Sequence, residues 1–198
     1  MSDESTIGYD AIVIGTSAGG LDALGVILPM LDSGLPVPVL IVQHISASSD
    51  SFIVTYFGKR CNLTVKEAED KELLKPATVY FAPPDYHLLI DSDRTISLSN
   101  EEKVNFSRPS IDVLFETASW VYGNRLIGVL LTGANWDGSA GLEKIKNAGG
   151  LTIVQDPDTA EAARMPATAL ERFTPDYILT LEEIGQLLNR LFQIIPTR

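Results

Sequence analysis

Short apolar, β-branched runs alternate along the chain with stretches whose apolar residues recur at helical spacing. Asp10-Ala11-Ile12-Val13-Ile14 predicts a first strand ended by Gly15. Leu21, Leu24, Ile27, Leu28 and Leu31 then mark one face of a helix over Gly20 to Leu31. Pro36 to Val42 predicts a second strand, apolar on both faces and therefore buried on both. Ser51 to Arg60 predicts a helix with Phe52, Ile53, Tyr56 and Phe57 inward.

The middle of the chain changes pattern. Thr78 to Phe81, His87 to Ile90 and Thr95 to Leu98 are closely spaced strand-like runs, and Asp91-Ser92-Asp93-Arg94 suits a turn between the last two. Together they predict an antiparallel insertion. The acidic stretch Glu67 to Glu72 reads as a solvated loop.

Regular alternation then resumes. Ser110 is expected to cap a helix through Val121, with Trp120 in its core face. Leu126 to Leu131 and Leu151 to Gln155 are strands around a helix near Gly138 to Ala148, and Ala160 to Phe173 is partly helical. Tyr177 to Leu179 is a short last strand, and Thr180 with Glu183 predicts a capping box for an amphipathic helix through Ile195. The fold expected is α/β: a doubly wound, mostly parallel sheet with helices on both faces and a small antiparallel insertion.

Composition narrows the function classes. The 198 residues, 45% hydrophobic, suit one domain over 1–198. A net charge of -11 argues against nucleic acid and anionic membranes as partners. One Cys excludes an internal disulfide, and no ligand spacing for a metal is seen. No signal peptide or membrane-spanning run is present, so a cytoplasmic protein is expected, and nothing demands more than a monomer. Histidine chemistry has two candidates, His44 and His87.

Ligands and reacting groups in such sheets gather at the carboxyl ends of strands. The first strand runs into Gly15-Thr16-Ser17-Ala18-Gly19-Gly20, whose Gly-x-Ser-x-Gly spacing is that of a nucleophile elbow. The alternative is a glycine-rich turn that binds phosphate or simply turns. A dinucleotide site would want Gly at position 17 and an acid ending the second strand, where the chain has Ser17 and His44. His44 is placed to serve Ser17 as base, and His87 reads as a structural or rim group. Asp137, in the loop after the strand Leu126 to Leu131, could orient the histidine or cap the following helix. Asp156 and Asp85 are the other candidates for the orienting acid. Arg108 could bind an anion or lead into a helix, and Trp136 could line a pocket.

Several segments together resemble the catalytic domain of CheB-type chemotaxis protein-glutamate methylesterases. They are Gly15 to Gly20, Val42-Gln43-His44, Ala82 to His87, Arg108 to Asp112, Leu131 to Gly138, Gln155-Asp156-Pro157 and Met165-Pro166. The resemblance implies a serine hydrolase without cofactor or metal: Ser17 as nucleophile, His44 as base and Asp137 as orienting acid. Backbone amides of Ala18 and Ala134 are the implied oxyanion donors. It further implies demethylation of γ-glutamyl methyl esters on cytoplasmic chemoreceptor helices, with deamidation of receptor glutamines in many members. Two-domain members carry a phosphorylatable receiver in a phosphorelay. Only Met1 to Tyr9 precede the first strand here, so the expectation is either the same esterase chemistry on a non-chemotaxis signalling protein or control supplied by a separate receiver protein. Ala134 and Ala18 stand where members often have Met and Thr.

Overall fold

The structure is a computed structural model that describes residues 8–44 and 52–193. Seven strands form one parallel sheet. In chain order they are β1 (Ala11–Thr16), β2 (Val39–Gln43), β3 (Thr64–Glu67), β4 (Thr78–Phe81), β7 (Leu126–Leu130), β8 (Leu151–Gln155) and β9 (Tyr177–Leu179). Their spatial order is β3-β4-β2-β1-β7-β8-β9. A separate antiparallel pair holds β5 (His87–Ile90) and β6 (Ile96–Ser99). The chain winds outward from β1 through β2 in one direction and later from β7 in the other. The winding reverses between β1 and β7, the place where such sheets open a crevice.

Helices cover both faces. Helices α1 (Gly20–Met30), α2 (Phe52–Gly58) and α6 (Leu181–Phe192) close one core around Ile12, Ile14, Val39 and Ile41. Helices α3 (Ile111–Tyr122), α4 (Ser139–Asn147) and α5 (Arg164–Arg172), with the β5–β6 pair, close the other around Val13, Leu40, Val42 and Leu130. Every residue of β1 and β2 is buried, which is why both read as continuous apolar runs. The Thr180–Glu183 capping box forms at the start of α6. The last helix was expected to run through Ile195, which with residues 194 and 196–198 lies outside the described residues, as does Ser51 before α2.

Several expectations are corrected. Thr78–Phe81 belongs to the main sheet, paired in parallel with β2 and β3, and only β5 and β6 form the antiparallel insertion. Burial on both sides distinguishes β4 from the half-buried β6. β3 was not anticipated; it takes Glu67 from the acidic stretch, while Glu69 and Glu72 pair with Lys66. β1 continues through Gly15 to Thr16. Trp120 is 74% exposed, because the buried stripe of α3 runs through Leu114, Phe115, Ala118, Ser119 and Tyr122 and leaves position 120 off it. Leu21 and Phe52 are likewise on exposed helix faces.

Candidate active site

β2, β1 and β7 are adjacent, so their carboxyl ends bring three loops together. The backbone sets the spacing: the His44 amide donates to the Thr16 carbonyl at 3.0 Å, and the Ser17 amide to the Thr132 carbonyl at 3.0 Å. Buried hydroxyl and amide groups fasten the same ends. Thr16 Oγ1 donates to the Thr132 carbonyl, and the Thr132 amide donates to Gln155 Oε1, both at 2.9 Å. Gln43 Nε2 donates to the carbonyls of Ser17 and His44, both at 2.9 Å.

The turn after β1 tolerates no side chain at Gly20. A Cβ there would stand 2.0 Å from Gln43 Oε1 and 2.6 Å from Thr16 Oγ1. Gln43 Oε1 has no hydrogen-bond partner among the described residues and occupies the space a Gly20 side chain would need. Gly20→Ala is expected to cost about 1–3 kcal/mol by overpacking and to displace Ser17, read by urea unfolding and by the rate of serine modification.

Ser17 and His44 meet. Ser17 Oγ lies 3.2 Å from His44 Nδ1, and His44 Nε2 lies 2.8 Å from Asp137 Oδ2. A buried carboxylate accepts, so the proton sits on Nε2 and is donated to Asp137. Nδ1 is then left with the lone pair that accepts from the Ser17 hydroxyl. Asn135 Nδ2 approaches the same Nδ1 at 3.4 Å, while its Oδ1 accepts from the Asp137 amide at 3.1 Å. His44 is mostly buried and Asp137 entirely so.

Asp137 is held by an unusual number of donors. Oδ2 accepts from His44 and from the Ile111 amide at 2.6 Å. Oδ1 accepts from Asn105 Nδ2 at 2.8 Å, Ser110 Oγ at 2.9 Å and the Asp112 amide at 3.2 Å. Burial pushes the carboxyl upward, but the bonds from His44, Asn105 and Ile111 outweigh it and hold the group below the usual carboxylate range. Asp137 thus caps the N-terminus of α3, where Ser110 was expected to act; Ser110 makes no cap bond of its own. Nor does Asp137 cap α4, whose N-cap is Gly138. Instead Asp112, on the first turn of α3, accepts from the Gly141 amide of α4 at 2.6 Å. The two helices cap one another through two aspartates.

A cleft of about 350 Å³ opens beside Ser17 and His44, bordered by Asp22 and Glu161. The amides of Ala18 and Ala134 donate to no protein acceptor among the described residues. Phe106, next to Asn105 in sequence and 84% exposed, meets Trp136, next to Asp137, edge to face at 6.3 Å.

A family model described as CheB methylesterase matches residues 12–188. The chain belongs to the CheB methylesterase family. Its fold is similar to the crystal structure of the Thermotoga maritima CheB methylesterase catalytic domain, with a TM-score of 0.89 at 35% identity over 93% of this chain and 99% of that one. A Leptospira interrogans relative, provisionally named protein-glutamate methylesterase/protein-glutamine glutaminase, is 58% identical over 93% of this chain and 96% of its own length. The Halalkalibacterium halodurans protein-glutamate methylesterase/protein-glutamine glutaminase is 37% identical over 90% of this chain but only 53% of its own length.

The CheB-like residues foreseen from sequence fall together: Ser17, His44 and Asp137 form one hydrogen-bonded chain. The other acids are engaged elsewhere. Asp156 accepts from the Asp158 amide, and Asp85 pairs with Arg108 at 2.7 Å. Arg108 therefore binds an internal carboxylate and the carbonyls of Asn100 and Glu101. His87 is buried and structural: Nε2 donates to the Glu102 carbonyl, and Nδ1 accepts from the Ser110 amide. Asn105, Ser110 and Asn135, which surround Asp137 and His44, were not foreseen as site residues. Among the described residues, no three His, Cys, Asp or Glu gather as a metal site, and no helix is long and apolar enough to cross a membrane.

Proposed function

We propose that this chain is a serine hydrolase that demethylates γ-glutamyl methyl esters on chemoreceptor helices and also deamidates receptor glutamines. The names of its relatives support that substrate class. The observation that carries the chemistry is the continuous chain from Ser17 Oγ through both ring nitrogens of His44 to the buried Asp137. His44 Nδ1 removes the Ser17 proton as Oγ attacks the ester carbonyl, and Asp137 stabilises the imidazolium through Nε2. Amides of Ala18 and Ala134, beside the start of α1, receive the oxyanion. The tetrahedral intermediate collapses, methoxide leaves with the proton from Nδ1 as methanol, and a water deprotonated by His44 releases glutamate from the acyl-enzyme. A glutamine substrate follows the same course with ammonia as the leaving group.

On this reading residues 1–198 act as one catalytic domain in the cytoplasm. A phosphate-binding role for the Gly15–Gly20 turn is disfavoured by Glu161. Its carboxylate packs so close that a Cβ on Gly19 would be 2.8 Å from it.

Incubation of the chain with methyl-labelled chemoreceptor membranes tests the reading: labelled methanol should appear with time, and no release above background overturns it. The exposed Phe106 and Trp136, beside Asn105 and Asp137 in sequence, are the proposed contacts to the receptor helix. Phe106→Ala is expected to raise KM about five- to tenfold while kcat stays within about twofold, because the ring lies outside the hydrogen-bonded chain.

A further inference from the structure

Asn105 sits in a two-residue turn closed by reciprocal backbone bonds between Val104 and Ser107, at 2.9 and 3.2 Å. Both central residues, Asn105 and Phe106, have left-handed backbones, with φ of 51° and 63°. Asn is among the residues that tolerate this conformation best, and Phe is not. The outcome is a side-chain amide delivered between two carboxylates. Asn105 Nδ2 donates to Asp137 Oδ1 at 2.8 Å and to Asp112 Oδ2 at 2.7 Å. An NH2 group has two protons, and here each is matched to one acid. Asp112 is itself fixed by the Gly141 amide.

The two oxygens of Asp137 are consequently sorted. Oδ1 faces Asn105, Ser110 and the Asp112 amide, and Oδ2 faces His44 and the Ile111 amide. Rotation of the carboxylate would take Oδ2 away from His44 Nε2. It would also leave the Asn105 amide facing Asp112 alone.

We propose that Asn105 is a positioning residue for the hydrolysis: it bridges Asp137 to Asp112 and so fixes the carboxylate orientation that holds His44 in its working tautomer. This rests on the reading of Ser17, His44 and Asp137 as the triad. Asn105 acts through Asp137 and needs no contact with substrate.

Asn105→Asp and Asn105→Gly separate this role from a merely conformational one. Both residues accept a left-handed backbone and preserve the turn, but Gly has no side chain and an ionised Asp has no proton to donate to Asp137. Two readouts are taken on the full chain, with Ser17→Ala in parallel. One is methanol release from methyl-labelled chemoreceptor membranes, resolved into kcat and KM. The other is labelling by a fluorophosphonate, in which Ser17 Oγ bonds to phosphorus, fluoride leaves and the serine proton passes to His44. Both Asn105 variants should lose about tenfold or more in kcat and in labelling rate, the loss typical of a hydrogen bond to a charged group. KM should stay within about twofold. Asn105→Asp should be the slower, because it places a third carboxylate beside two.

Labelling of wild type that Ser17→Ala abolishes, with slowed Asn105 variants that remain folded below their melting temperatures, supports the proposal. The same Ser17 result with Asn105 variants at wild-type rates overturns the positioning role and leaves the triad standing. Undiminished labelling and methanol release in Ser17→Ala overturn the triad reading itself.

Discussion

Ser17→Ala should reduce methanol release by about 10⁶-fold, the scale on which a serine hydrolase falls when its nucleophile is removed. Among the described residues no neighbouring group is placed to replace it. His44 Nδ1 is left facing Asn135 Nδ2 at 3.4 Å, and an amide nitrogen neither donates well to an imidazole at that distance nor attacks an ester. Stability should change by less than about 0.5 kcal/mol, because Ser17 is partly exposed and its Oγ makes a single side-chain bond among the described residues. Release kinetics alongside urea unfolding check both halves. Wild-type turnover by a folded Ser17→Ala protein would remove Ser17 from the mechanism.

Asp137→Asn has the second largest effect and a different character. An amide nitrogen facing His44 Nε2 donates where the carboxylate accepted. The proton then moves to Nδ1, which confronts the Ser17 hydroxyl as a donor and is no longer a base. The loss in kcat should be about 10⁴-fold, as when the orienting aspartate of a serine triad is replaced by asparagine. Stability falls too, because five donors converge on a group with half its acceptor capacity gone; about 2–4 kcal/mol is expected.

The acid dependence of stability should change in the same variant. A carboxyl held below its unfolded value adds stability above that value and loses it as pH falls through the folded one. Asp137 therefore contributes at neutral pH and withdraws support below about pH 4. Asp112 has the opposite sign: burial, then the charge of Asp137, raises it, so its ionisation costs stability as pH rises through the raised value. Asp137→Asn removes the first contribution and the repulsive part of the second. Its stability should fall less steeply than that of wild type as pH drops below 4, measured by urea midpoints across pH 2.5 to 7.

The strands bearing the site were legible because they are buried on both faces, so β1, β2, β7 and β8 announce themselves as apolar runs ending in Gly, His or polar loops. Ser17 and His44 follow each from a strand end, and that placement needs only the order of elements. Asp137 was harder: an aspartate one residue before a glycine that opens a helix reads as that helix's cap. Its actual partner is the N-terminus of α3, 26 residues earlier in sequence. Such a crossing depends on how two helices pack. For the same reason Asn105 was silent: its value comes from a turn with left-handed backbone and from two acids distant in sequence. β4 was misassigned because four strand-forming residues beside a true hairpin look the same whether they extend the main sheet or the insertion.

The reciprocal capping of α3 and α4 bears on how an inactive form should be made for capturing receptor complexes. In this fold Asp137, the proposed orienting acid, is also a rivet between two helices, so silencing the enzyme there would loosen the wall of the proposed site. Ser17 carries no such structural duty. A Ser17 variant should present an undistorted surface, and it is the form to immobilise when the bound receptor segment is to be isolated and sequenced.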